Sequence, residues 1–139
     1  MQKVITQLAT AYNTYNAKLF ESIIANDFEY ESQQVFDVMR GKSIFIKYIT
    51  GKFKTIKRTG ATVYAEIGYS DWNNDVSKSI TQLQKTGKAC LIMAQGEKEN
   101  KVAILMPKFN NAGLIQQMIM CSIAPHWSNA KRTLVYPGL

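Results

Sequence analysis

Apolar residues in the first part of the chain recur at helical spacing: Val4, Ile5, Leu8, Tyr12, Tyr15, Leu19, Phe20, Ile23 and Ile24, up to about Ala25. One long helix fits this pattern, as do two helices with a break near Asn13–Asn16. The period then changes. In "DFEYESQ", Phe28, Tyr30 and Ser32 alternate with Glu29 and Glu31, which predicts a half-buried strand. A second short strand, "VFDVM", ends at Gly41, and Phe45, Tyr48, Ile49, Phe53 and Ile56 mark the face of a helix closed near Gly60. Beyond Gly60 the segments "ATVYAEIGYS", "KACLIMAQ", "KVAILMPKF" and "LIQQMIMCSI" read as four strands. The joins "GEKEN" and "NNAG" suit hairpins, and "DWNNDVSKSITQLQKTG" is a longer polar connection. Pro125 closes the last strand and leaves "HWSNAKRTLVYPGL" as a tail along the surface. Helices first and a mostly antiparallel sheet afterwards predict an α+β fold.

At 139 residues the chain has the size of a single domain, one that buries roughly two-thirds of its unfolded surface. Neither "ACLIMA" nor "VAILM" approaches the ~20 apolar residues a membrane span needs. Thr6, Gln7 and Thr10 interrupt any apolar leader at the N-terminus, so secretion is not expected. Cys90 and Cys121 lie in strand-like apolar runs and read as buried free thiols of a reducing compartment, the cytoplasm.

The net charge of +7 is concentrated in residues 40–58, where Arg40, Lys42, Lys47, Lys52, Lys54, Lys57 and Arg58 meet no acidic residue. Lys47, Lys54 and Arg58 fall on a stripe opposite the apolar helix face. No aromatic side chains interleave with them as stacking platforms, so a solvated face is expected and nucleic acid is not. The triplet "GKS" at residues 41–43 ends like a phosphate-binding loop, but such a loop needs a glycine where Phe36 stands. Metal and hydrolase chemistry are short of ligands and bases: the sole histidine, His126, lies near the C-terminus, and the two cysteines are far apart. No metal or cofactor is expected.

In order and spacing, "AYNTYNAKLFESIIANDFEYESQQVFDVMRGKSIFIKYI" resembles the nuclear transport factor 2-like superfamily, the cone-shaped (cystatin-like) fold of ketosteroid isomerases and small polyketide cyclases. The shared features are two helices ending before "ND", a strand, and a "GK" opening the third helix. "FNNAGLI" resembles the last hairpin of that pattern, which runs over about residues 4–124. The resemblance implies one domain with a pocket inside the cone, and with Phe28, Tyr30 and Ser32 pointing into it. If both hairpins keep simple register, Leu91 faces Leu105 and Met93 faces Ala103, while Leu105 faces Met118 and Ala103 faces Met120. One sheet face then carries Leu91, Met93, Ala103, Leu105, Met118 and Met120, which suits either a greasy ligand or an ordinary core.

The isomerase chemistry implied by the resemblance lacks its residues here. The matching positions hold Ser32 for the aspartate base, Leu8 for the oxyanion-hole tyrosine and Leu105 for the protonated aspartic acid. A histidine-based dehydratase site is disfavoured for want of histidines. Tyr12, Tyr15, Tyr30, Ser32, Tyr48 and Gln95 remain as polar groups near the cone, and Glu66 is the one acid that could turn inward. The other face carries Cys90, Ile92, Val102, Ile104, Met106, Ile119 and Cys121. So apolar a surface has to be buried, and the resemblance implies a homodimer through it. The expected function is binding of a small, mainly apolar ligand by Tyr12, Phe28, Tyr30, Ser32, Met93, Leu105, Met118 and Met120. The alternatives are an isomerase, cyclase or hydrolase using an unrecognised acid, or a protein-interaction module.

Overall fold

The computed structural model describes residues 2–32, 35–71, 84–121 and 131–139. Helix α1 spans Gln2–Thr14 and buries Ile5, Leu8, Ala9 and Tyr12 along one stripe. It stops where Tyr15 takes a left-handed φ of 54°. Asn16 then caps a short 3-10 turn, Ala17–Phe20, by accepting a hydrogen bond from the Lys18 N–H. The break therefore falls within the expected segment. The helical spacing overran at its far end, because Ile24 opens strand β1 (Ile24–Ser32). There the Ile23 carbonyl already accepts from the Ile115 N–H at 2.8 Å, so sheet pairing overrides the local period.

Strand β2 (Val35–Arg40) returns against β1 and leads through Gly41, at φ 104°, into α2 (Lys42–Thr59). Gly41 is thus a turn between strand and helix. Phe45, Ile49 and Phe53 are buried at four-residue spacing along α2, and Gly60 ends the helix in the left-handed conformation. Lys47, Lys54 and Arg58 are exposed, as a solvated face requires. Strands β3 (Val63–Asp71), β4 (Gln84–Gln95), β5 (Lys101–Phe109), β6 (Ile115–Cys121) and β7 (Lys131–Val135) are the other elements of the described residues.

The seven strands form one curved mixed sheet in the order β2-β1-β6-β5-β4-β3-β7. Every neighbouring pair is antiparallel except β1 and β6. Leu91 faces Leu105 and Met93 faces Ala103, as expected. The last hairpin differs: Leu105 faces Met120, and Met118 faces Pro107. Two residues are absorbed there. Leu114 joins the turn, where Asn110 Oδ1 accepts from the N–H groups of Ala112 and Leu114, and a bulge follows opposite Lys108–Phe109. An offset of two preserves which face each side chain occupies. Leu91, Met93, Ala103, Leu105, Met118 and Met120 therefore do share the face that carries the helices.

Between the helices and that face lies an aromatic core. Phe45 packs against Phe28 at 4.8 Å and Phe20 at 5.2 Å between ring centroids, and Tyr12 meets Phe53 edge-on at 5.7 Å. Such pairs contribute about 0.5–1.5 kcal/mol each beyond their buried area.

One finding on the other face corrects the sequence reading, and a second meets its requirement that this face be buried. Residues 131–135 are a seventh strand paired with β3, not a surface tail. The outer face is also already covered within one chain: Cys90, Ile92, Met106 and Cys121 are 0% exposed, Ile104 1% and Ile119 2%. Gly68 belongs to this tight packing, because a Cβ there would come within 2.9 Å of Ile92 Cδ1 and 3.2 Å of the Lys131 carbonyl.

Strand β7 pairs only with Ile67–Tyr69, which leaves the first half of β3 as an edge. Two residues from the end of α1 occupy it. Asn13 Oδ1 accepts from the Ala65 N–H at 2.6 Å, and its Nδ2 donates to the carbonyls of Ala65 and Pro137 at 3.0 and 2.8 Å. The Tyr15 hydroxyl accepts from the Val63 N–H at 2.9 Å. An unpaired edge is thereby satisfied by side chains. Asn13→Ala strands a buried N–H and a buried carbonyl together, and should lower stability by about 2–3 kcal/mol. Urea unfolding of the two proteins at neutral pH measures this difference.

Candidate functional site

Where the C-terminal half of α2 faces the ends of β4 and β5, the chain leaves a cavity of about 640 Å³, open on one side. Phe53 and Ile56 of α2, Met93 of β4, Val102 and Ala103 of β5, and Met120 of β6 form its apolar wall. Tyr12 of α1 lines it too, and the turn from Gly60 to Val63 and the β4 end at Gln95–Gly96 form its rim.

A β-bulge shapes this wall. Met93 pairs with Ala103 but Ala94 pairs with Lys101, so Val102 is an extra residue in β5. Simple alternation put Val102 on the outer face. The bulge instead brings Val102 against the helix-side core and into the cavity wall, and sends Lys101 to the outer face.

Of the eight ligand-binding residues expected from the sequence, Tyr12, Met93 and Met120 line this cavity. Phe28, Leu105 and Met118 are 0% exposed and packed within the core. Tyr30 is buried beside Phe45 and Tyr48, and its hydroxyl is hydrogen-bonded to Ser32, which is half-buried. Burial, with the nearby phenols of Tyr30 and Tyr48, pushes the Tyr12 hydroxyl well above its ordinary value. Burial likewise raises Tyr30 and Tyr48. His126 lies outside the described residues.

The sequence reading did not assign Lys52 to the site. This side chain lines the cavity beside Phe53 and, four residues on, Ile56. The side chain is exposed to solvent, and partial desolvation by the protein around it lowers its ammonium from the ordinary lysine value. The signal was present in the helical period. Lys52 lies three residues after Ile49 and four before Ile56, at the border of the apolar stripe, whereas Lys47 and Lys54 lie on the opposite face.

Glu66 does not turn inward. It is 0% exposed on the outer face and has a full set of partners. Arg132 Nε donates to both carboxylate oxygens at 3.0 Å, and its Nη2 lies 2.9 Å from Oε2 without an aligned hydrogen bond. Lys101 Nζ donates at 3.2 Å, the Tyr136 hydroxyl at 3.1 Å and the Leu134 N–H at 3.0 Å. Lys101 Nζ also donates to the Tyr136 oxygen at 3.1 Å. Glu66 thus fastens β7 and the segment after it to β3 and β5. It is not placed to exchange a proton with a molecule in the cavity.

Comparison with solved structures identifies the architecture. A SnoaL-like protein of unknown function from Burkholderia thailandensis superposes with a TM-score of 0.58 at 14% identity, over 86% of this chain and 95% of its own. An uncharacterized protein with a cystatin-like fold from Caulobacter vibrioides gives 0.58 at 15% identity, over 92% and 90%. The fold is that of the nuclear transport factor 2-like proteins. A further neighbour is SalBIII, an epoxide hydrolase/cyclase-like enzyme of pyran ring formation in polyether salinomycin, with a TM-score of 0.56 at 12% identity over 94% of each chain. No family model matches the sequence, and no curated protein does.

The resemblance matched Leu8 and Leu105 to the oxyanion-hole positions of the ketosteroid isomerases. Leu8 and Leu105 are fully buried and apolar, so neither can donate a hydrogen bond to an enolate. Among the described residues that line the cavity there is no carboxylate and no histidine.

Burial raises the Glu66 carboxyl, but the hydrogen bonds from Arg132, Lys101 and the Leu134 N–H outweigh it and hold it below its ordinary value of 4.5. A lowered folded value means the unfolded chain takes up the proton first as pH falls. The stability Glu66 supplies is therefore complete above pH 4.5 and is lost as pH drops through the folded value. Glu66→Gln leaves Lys101 buried against a neutral amide and should destabilise the protein by about 3–5 kcal/mol at pH 7. In urea unfolding, the gap between wild type and Glu66→Gln should narrow as pH is taken below 4.5.

Proposed function

We propose that this chain binds a small, mainly apolar molecule in the cavity between α2 and the ends of β4 and β5. The observation that carries this reading is the cavity's size and lining. A space of about 640 Å³ walled by Phe53, Ile56, Met93, Val102, Ala103 and Met120 falls within the roughly 300–1,000 Å³ of ligand pockets, mostly apolar with a few polar groups. The methionines make that wall adaptable in shape. Tyr12 and Gln95 are the neutral polar side chains suited to orienting a ligand.

Binding is favoured over catalysis because Glu66, the acid that an isomerase, cyclase or hydrolase reading would have used, is engaged on the other side of the sheet. The cyclase-like neighbour shares the fold, and its reaction is not carried over. The homodimer implied by the family resemblance has less to drive it. Ile92, Ile104 and Ile119 are already covered within one chain, so the single chain is taken as the binding unit.

The cytoplasm is the compartment we assign. Cys90 and Cys121 are free and buried, and no described helix is long and apolar enough to cross a membrane. Burial pushes the Cys90 thiol up to about 12, with a contribution from the Glu66 charge, and Cys121 to about 11. Both are inert as nucleophiles.

The test is to fill the cavity from a wall position. Ala103→Trp should keep the far-ultraviolet circular dichroism of the wild type and weaken binding of a neutral apolar fluorophore such as Nile red about tenfold or more. Equal binding by a folded Ala103→Trp would place the ligand elsewhere.

A further inference from the structure

We propose that the ligand of this cavity carries one acidic group, a carboxylate or an equally acidic hydroxyl, and that Lys52 is the residue that recognises it. The inference rests on the cavity reading above and deepens it to a chemical class.

The lining is electrically one-sided. Lys52 is the only charged side chain among the described residues that surround the space, and the wall beside it is apolar. The ion pairs of the described residues join Arg40 to Glu29, Lys42 to Glu21, Lys101 to Glu66, and Arg132 to Glu66 and Glu99. None involves Lys52. Lys101, which is buried, has by contrast both Glu66 and the Tyr136 hydroxyl. A cation beside an apolar cavity, with no counter-charge in these ion pairs, is placed to meet an anion brought by a ligand. Burial is the one resolved influence on the Lys52 ammonium, with no carboxylate contribution. An entering anion would raise that lowered value back.

The placement also gives the ligand a polarity. Lys52 stands on α2 one turn before Ile56, while Met93, Ala103 and Met120 form the sheet side of the wall. A ligand with its acid at the helix and its hydrocarbon or ring system on the sheet satisfies both surfaces. A neutral apolar molecule satisfies the wall and leaves the ammonium as it was.

Matched probe pairs test this with the full chain. Isothermal titration or fluorescence competition would compare decanoate with decanol and 2-naphthoate with 2-naphthamide, at pH 7.5 and low salt. The expected result is a preference of about tenfold or more for the acid in at least one pair, as a charge-assisted hydrogen bond supplies. Lys52→Met should abolish the preference, weakening the acid's binding more than that of its neutral partner. Lys52→Arg should retain the preference, and Lys52→Glu should reverse it. Lys52 is a surface-reaching helix residue, so all three variants are expected to fold, as circular dichroism would check. Equal binding of acid and neutral members by the wild type overturns the assignment to Lys52 and leaves the apolar cavity reading standing. A preference that survives Lys52→Met does the same. Failure of all four probes and of Nile red to bind the wild type overturns the cavity reading and this inference together.

Discussion

A sheet withdrawn from water on both faces is the constraint on which the rest of this molecule depends. Leu91, Ile92, Met93 and Ala94 are consecutive and all buried, which is possible only if β4 is covered above and below. Polar groups inside such a sheet have no water to turn to. The chain therefore handles each one separately: Asn13 and Tyr15 satisfy the bare half of β3, and the buried Glu66 meets Lys101, Arg132 and Tyr136. The C-terminal strand is held partly by the same carboxylate, so electrostatics and sheet closure are one device.

The two faces divide the work. On the helix side, aromatic packing among Phe20, Phe28, Phe45 and Phe53 holds α2 against the 3-10 turn and β1. Toward the C-terminal half of α2 that packing gives out and the cavity opens, walled by methionines and small side chains. One bulge serves both sides. The extra residue Val102 enters the cavity wall, and Lys101 swings out to neutralise Glu66. An insertion that re-aims two neighbouring side chains couples the shape of the pocket to the anchoring of the C-terminus.

A nuclear transport factor 2-like fold supplies a cone and leaves its chemistry to whatever side chains line it. Among the described residues that line the cavity there is no acid, Tyr12 supplies a neutral phenol, and Lys52 is the one charge. Such a lining suits the acidic apolar ligand proposed above.

Periodicity in the sequence determined the order of elements, the α+β class and the faces of the strands. These follow from side-chain direction along a helix or strand, which is a local property. That is why the inward set from Leu91 to Met120 held through a hairpin whose register was off by two. The tertiary structure alone decided three things: the bulge at Val102, the burial of Glu66 among residues 35 and 66 positions away, and the pairing of residues 131–135 with β3. Each depends on contacts between segments remote in the chain, whose energies leave no period in the sequence. Lys52 stands between these cases. Its position beside the apolar stripe of α2 was legible, but only the placement of that helix over β4 and β5 made it part of a cavity.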